Sequence, residues 1–404
     1  MPRVVGVVGK PNVGKSTFFS AATLAHVAIA NYPFTTIKPN IGMGYVRTPC
    51  VCREFNVTDT PGNSTCVNGI RLIPVELVDC AGLVPGAWQG RGLGNQFLDE
   101  TRQADALIHV VDASGSTDAE GKICDPGTHD PLEDVTFLEH ELDMWLLQIV
   151  KKEWDRAIRR VEGNTKEELV PILEEKLSGL GIRKDHLASA RTKTGLNFEK
   201  PSSWSEDDLL RFVTDLRTRS KPLLIAANKM DVPPAEKNLQ PLSETKHMVV
   251  PCCAEAELAL RRAAEKEIIA YVPGDSNFKL SAKAQPTPDQ VNALTRIKDK
   301  VLNPLGSTGV QESLNLAFFK LLQMITVYPV EDPEKLTDHK GRVLPDAYLV
   351  PFGTTAKQFA GMIHSDLATG FLYATEARSK MRVADDYVLK DRDVVSIVSA
   401  KRHA

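Results

Sequence analysis

Residues Gly9-Lys10-Pro11-Asn12-Val13-Gly14-Lys15-Ser16 fit the pattern G-x-x-x-x-G-K-[ST], and those residue types suit the holding of phosphate oxygens. Glycines let successive backbone N–H groups turn inward, and the helix expected from Thr17 onward adds positive partial charge at its N-terminus. Lys15 would reach the β- and γ-phosphates, and the Ser16 hydroxyl would sit on Mg²⁺. The second acid such a site needs is Asp79, at the end of Leu72-Ile73-Pro74-Val75-Glu76-Leu77-Val78-Asp79. It is followed by Gly82, whose N–H would sense the γ-phosphate, and a glycine-rich stretch, Gly90-Arg91-Gly92-Leu93-Gly94, has the flexibility of a switch loop.

Base choice is the third task. Asn228-Lys229-Met230-Asp231 ends an apolar run, and the Asp231 carboxylate can accept from both N1–H and the exocyclic amine of guanine. Asn228 would face the other edge of the base, and the Lys229 stem would cover the ring. A fourth contact has two candidates. Cys253-Ala254 lies one helix and one strand beyond Asn228, whereas Ser281-Ala282-Lys283 lies too far on for a single such step. We therefore expect the Ala254 N–H to face guanine O6 and treat Ser281-Ala282-Lys283 as a decoy.

These groups need strands to carry them. Val4 to Val8, Leu72 to Asp79, Val110 to Asp112 and Pro222 to Ala227 are apolar runs of the kind buried on both faces of a parallel sheet. The expected fold is α/β: a P-loop domain at 1–130 and 221–324, the second part with a helical extension, interrupted by a helical insert at 131–220. In the insert, Leu132, Val135, Leu138, Leu142, Trp145, Leu146, Ile149 and Val150 recur at helical spacing, continuing to Val161. Thr165 with Glu168 predicts a second helix, and residues 207–219 a third. Residues 325–404 alternate short strands with one helix, as a β-grasp does.

Length, 404 residues, asks for more than one domain. A 25% share of charged residues and a net charge of −3 exclude a polycation built to bind nucleic acid by bulk charge. Residues 325–404 themselves hold 11 basic and 11 acidic side chains. The run Arg378, Lys380, Arg382 and the end Lys401, Arg402, His403 could contact phosphates locally, with solvated surface as the alternative. No apolar run reaches the ~20 residues of a membrane span, no signal peptide is read at the start, and seven cysteines suggest reduced thiols in a cytoplasm. Cys50 and Cys52, with Cys66, could form part of a zinc knuckle. Three ligands are one short of a closed site, so Asp59 or Cys124 would have to complete it; free thiols are the alternative.

Taken in order, the motifs resemble the Obg-like P-loop GTPases. Asn31-Tyr32-Pro33-Phe34-Thr35-Thr36-Ile37 resembles their first switch, and Asp79-Cys80-Ala81-Gly82-Leu83-Val84-Pro85-Gly86 with the glycine-rich stretch after it is similar to the YchF branch, also called Obg-like ATPases. The resemblance implies that Thr36 closes over Mg²⁺, that the insert is a coiled-coil arm, and that the tail is a TGS domain with ribosomal or RNA partners. It implies a cytoplasmic monomer that hydrolyses GTP slowly, as a switch linked to translation. Bacterial and eukaryotic members carry glutamate where this chain has Asp231, so an ATPase acting as a protein-binding regulator is the alternative. A nucleotide sensor without turnover is a third reading. Leu83 stands where many GTPases place a water-orienting glutamine. Asn12 matches the P-loop asparagine of K⁺-stimulated relatives and implies a K⁺ ion by the phosphates. Arg91 as an arginine finger competes with Arg91 as a solvated charge.

Overall fold

A computed structural model describes residues 3–23, 41–90, 94–163, 167–282 and 284–400. Thr36, the rest of the first-switch segment, Arg91, Thr165, Lys283 and the basic end 401–404 lie outside that set. The chain forms two compact units, one built on residues up to 23, 41–42 and 76–313, the other on 43–75 and 314–400. Residues 43–75, which the sequence reading gave to the P-loop domain, thus group with the C-terminal residues.

One sheet carries the parallel strands β1 (Val4–Val8), β4 (Ile70–Asp79), β5 (Ala106–Asp112), β6 (Leu223–Asn228) and β7 (Met248–Pro251). With β2 (Ile41–Pro49) at the edge, the order is β2-β4-β1-β5-β6-β7, and β3 (Thr65–Val67) pairs antiparallel with the start of β4. β5 and β6 are buried along their whole length, which is why they read as unbroken apolar runs. Register brings Val7 opposite Asp79 and Asp112 opposite Asn228. The functional side chains therefore gather beyond the carboxyl ends of the strands, where α/β sheets place ligands.

Helices α1 (Lys15–Thr23) and α2 (Gly94–Gln103) follow, then the insert. Its first helix, α3, runs Pro131–Glu162, capped by Asp130 at Leu132 N. Then come α4 (Leu169–Leu177), α5 (Lys184–Thr194) and α6 (Glu206–Ser220), the last opened by a Ser205–Asp208 capping box. The spacing predicts three helices in this insert; instead four share one core, α5 being the addition. Trp204 meets Trp154, Phe198 and Phe212 at 5.1–5.3 Å, so the stripe of α3 is closed by residues from the chain after it. After the insert come α7 (Ala235–Ser243), α8 (Ala254–Glu265), the hairpin β8 (Ile269–Ala270) with β9 (Lys279–Leu280), and α9 (Pro288–Ile297), capped by Thr287.

In the second unit, β10 (Met324–Val330) lies between antiparallel β11 (Tyr348–Pro351) and parallel β14 (Asp393–Ser399). β12 (Phe371–Glu376) and β13 (Met381–Val383) complete the order β11-β10-β14-β12-β13. The helix Ala356–Ile363 buries Phe359 against Val327, Val350 and Val395, the mixed-sheet-and-helix packing of a β-grasp. Arg71 is fully buried here and donates to Ser64 Oγ at 3.0 Å and to the Leu344 carbonyl at 2.8 Å.

Candidate nucleotide site

The loop between β1 and α1 carries the phosphate motif. Phe18 N–H donates to Gly14 O at 2.8 Å, so the helix begins inside the motif and its first N–H groups face back toward the loop. Gly14 has φ +92°, and a Cβ there would lie 2.3 Å from Asn228 Nδ2, so the position admits only glycine. Lys15 Nζ is paired with Asp79, which joins the two charged groups expected at the phosphates. Ser16 is exposed in the first turn of α1. Val13 is fully buried and contributes backbone alone, and Thr17 follows in the same turn.

Lys10 differs from the expectation. Its ammonium is buried and donates to Asp134 Oδ1 at 2.8 Å and to the Thr117 carbonyl at 2.9 Å. Only its backbone remains for a phosphate. Burial raises the Asp134 carboxyl above its ordinary range, against the pull of Lys10 and His129. Asn12 adopts φ +63°, and its Nδ2 donates to Gly121 O at 2.8 Å, leaving Oδ1 as the side-chain oxygen available to a cation.

Around Gly82 the backbone is nearly used up. Cys80 N–H donates to Val7 O, Ala81 N–H to Glu100 Oε2 and Leu83 N–H to Gly9 O. Among the described residues Gly82 alone of these four keeps an uncommitted N–H, and it lies against Pro11 of the phosphate loop. Leu83 is 1% exposed and packs in the core with Val8, Val78 and Phe97. It is a core residue, turned inward by its bond to Gly9, and does not project toward a nucleotide.

The base-recognition segment is bound together by Asn228. Its Nδ2 donates to Val13 O at 2.9 Å, and its Oδ1 accepts from Ala254 N at 3.0 Å. One buried side chain thus ties the phosphate loop to the loop after β7. The Ala254 N–H, expected at guanine O6, is engaged by Asn228 instead, and Cys253 N–H goes to Thr308 O at 2.9 Å. Met230 N–H donates to Cys252 O. Cys253 caps α8 and donates its thiol to Asp231 Oδ1 at 3.2 Å. Burial, and then the Asp231 charge, push that thiol up, so it stays a protonated donor that orients the carboxylate. Lys229, at φ +62°, reaches Asp112 Oδ2 at 2.9 Å. Burial would raise Asp112, but bonds from Ser114, Lys229 and Ser116 more than offset it and hold the carboxyl below its usual range. Ser281 donates to Ile268 O at the end of the β8–β9 hairpin, in a sheet of its own.

Sequence reasoning missed Glu141. This buried α3 carboxylate accepts from Gly86 N at 2.7 Å and Trp88 N at 2.9 Å, fixing the loop after Gly82 to the root of the insert. The one available signal was an acid placed inside the apolar stripe of α3, at a position that faces the core. Among the basic residues of the tail, Arg378 is held by Glu54 and Glu376, and Arg382 lies over the Tyr373 ring at 4.4 Å. Arg378 is thus committed within its own unit.

Three families match in succession: 50S ribosome-binding GTPase over 4–146, the G4 motif-containing domain of YGR210-like Obg-like GTPases over 226–332, and the TGS domain over 339–399. The GTP-binding protein MJ1332 of Methanocaldococcus jannaschii is 49% identical, covering 99% of this chain and 100% of its own. The crystal structure of a GTP binding protein from Pyrococcus horikoshii OT3 is 41% identical, with a TM-score of 0.79 over 99% of this chain and 100% of that one. The ribosome-binding ATPase YchF of Escherichia coli O157:H7 is 27% identical over 97% of this chain and 98% of its own. With the P-loop, the Asp79 motif and Asn228 to Asp231 in order on one sheet, the chain belongs to the Obg-like P-loop GTPases, in the branch of YchF-like proteins with a C-terminal TGS domain.

Proposed function

We propose that this protein binds GTP in preference to ATP and hydrolyses it slowly, as a cytoplasmic switch read out on the ribosome or on RNA. The observation that carries the reading is Asp231, an acceptor-only carboxylate oriented by the protonated Cys253 thiol on a loop that Asn228 ties to the phosphate site. Guanine offers two donors to such a group, and adenine offers neither.

Gly9 to Thr17 would wrap the phosphates through backbone N–H groups, with Lys15 as the cation. The uncommitted N–H of Gly82 would meet the γ-phosphate. The Ser16 hydroxyl and the Asp79 carboxylate are hard oxygen donors of the kind Mg²⁺ takes, and Thr36 is the third expected ligand. When bound there, Mg²⁺ would supply positive charge against the charge developing on the phosphates. No side chain at Leu83 can orient water, which supports a slow intrinsic rate. Asn12 Oδ1 suits K⁺; equal turnover in K⁺ and Na⁺ buffers would reject that ion. The ribosomal link rests on the 50S ribosome-binding GTPase match, on the name of the Escherichia coli relative and on the TGS domain.

The test is competitive binding of GTP and ATP, with phosphate release measured on the same sample. Asp231→Glu should narrow the preference for GTP by about 1–3 kcal/mol, roughly 5- to 150-fold. ATP turnover by the unaltered protein that equals GTP turnover would replace this reading with the ATPase one, which the Escherichia coli relative's name favours.

A further inference from the structure

Cys50 and Cys52 lie in the turn that follows β2, Asp59 in the loop beyond it and Cys66 in β3. The fold brings their four ligand atoms within 4.8 Å of one another. Cys52 Sγ and Cys66 Sγ are 3.9 Å apart, and Cys50 Sγ is 3.2 Å from Asp59 Oδ2. In a tetrahedron with metal–sulfur bonds of about 2.3 Å and metal–oxygen bonds of about 2.0 Å, the sulfur–sulfur edge is about 3.8 Å and the sulfur–oxygen edge about 3.5 Å. Both observed edges match that figure to within a few tenths of an ångström. Cys124, the other candidate for a fourth ligand, instead turns its thiol to the Gly115 carbonyl.

The surroundings also suit a cation held by anions. Cys50 and Cys52 are buried. The fully buried Arg71 guanidinium lies 3.2 Å from Asp59 Oδ2 through Nη2, which also donates to the Leu344 carbonyl, while Nη1 donates to Ser64 and Nε has no hydrogen-bond partner among the described residues. Such a group orients a ligating carboxylate and balances part of the excess negative charge of a three-thiolate, one-carboxylate set around a divalent ion. A Cys52–Cys66 disulfide would need the sulfurs at about 2.0 Å and would leave Cys50, Asp59 and Arg71 unexplained.

We propose that Cys50, Cys52, Cys66 and Asp59 form a closed, structural zinc site. Three thiolates select a soft or borderline ion over Mg²⁺ or Ca²⁺, and four protein ligands leave no open position for chemistry. The ion pins the 50–66 loop, which bonds to the 343–347 segment through Thr60 to Val343, Gly62 to Pro345 and Asn63 to Ala347.

The experiment is elemental analysis of the full-length protein, purified without chelator from zinc-replete cells. It should carry about one equivalent of zinc, released by a thiol-binding mercurial. Cobalt in its place should give the sulfur-to-metal charge-transfer absorption of a tetrahedral thiolate site. Cys66→Ser and Asp59→Ala should lose zinc and melt at lower temperature, and Asp59→Cys should retain it. GTP binding by each variant shows that the rest of the chain is folded. Absence of metal together with no zinc uptake by the reduced protein would overturn the proposal. So would a Cys52–Cys66 disulfide in mass spectra of the unreduced protein. Full zinc retention in Asp59→Ala would refute the four-residue set, and iron at one equivalent would refute the zinc assignment.

Discussion

Replacing Asn228 with alanine removes two buried hydrogen bonds, to Val13 O at 2.9 Å and from Ala254 N at 3.0 Å. The lost amide leaves both backbone groups without their partner in an interior where Asn228 itself is 3% exposed. Orphaning a buried polar group costs about 1–3 kcal/mol, so the two together cost about 2–6 kcal/mol. That energy holds the phosphate loop against the loop after β7. Once it is gone, the loop spends less of its time in the binding arrangement, and affinity falls by that fraction. The expected loss is roughly 30- to 20,000-fold. The assay is displacement of a fluorescent guanine nucleotide by GTP, ATP and inorganic tripolyphosphate, which carries no base. A structural tie predicts that all three weaken together. If GTP weakens while tripolyphosphate binds as before, Asn228 acts on the base alone and the reasoning from its two bonds is wrong.

Glu141→Gln turns an amide donor toward one of the two N–H groups now held by the carboxylate, at a cost of about 1.5–3 kcal/mol for a bond to a charged group. Amide exchange at Gly86 and Trp88 should accelerate roughly 10- to 150-fold; unchanged exchange would show that the loop is held by something else. His109 is buried in β5, and burial, with the His247 and Lys10 charges, lowers its pKa to about 3. A depressed histidine is neutral when folded and protonates on unfolding below its ordinary value of 6.5. It therefore withdraws stability as pH falls from 6.5 toward about 3, by up to ~1.4 kcal/mol per unit. Melting temperature against pH should fall across that window, and His109→Gln should flatten this part of the curve.

The parts of the site written in consecutive residues were legible in the sequence, and the parts set by distant partners were not. A β-branched run before Gly9 and a polar stop at Asp79 announce strand ends, because periodicity and turn chemistry are local. The Asn228 to Asp231 segment and the Cys253 position follow from the length of one αβ step. The direction of Lys10 is different, since its partner Asp134 lies 124 residues away. Leu83 was placed by analogy, and its inward turn depends on the Gly9 carbonyl. Helix α3 showed in its apolar spacing, but α5 buries only Leu187 and Ala190 along its length and left no stripe to read. Nothing in the sequence chose Asp59 over Cys124 beside the three cysteines. The fold of the 50–66 loop decided it.

Helix α3 connects these observations. Asp134 and Glu141 are seven residues apart, two turns, so they share one face about 10 Å from each other. The first holds Lys10 of the phosphate loop, and the second holds the loop that follows Gly82. Five and nine residues from Asp134 toward the C-terminus, Glu139 and Asp143 grip the buried Arg217 of α6. The same rigid element thus bonds the two loops expected to meet a γ-phosphate and the helix that closes the insert's core. For a switch to be read at a distance, one element must make different contacts in its two states. In this chain α3 is bonded directly to both loops, so a displacement of Lys10 or of the Gly86–Trp88 backbone would bear on a helix 32 residues long. On the proposed switch function, the insert would be part of the device that senses the phosphate, with the buried acids of α3 as its first contacts.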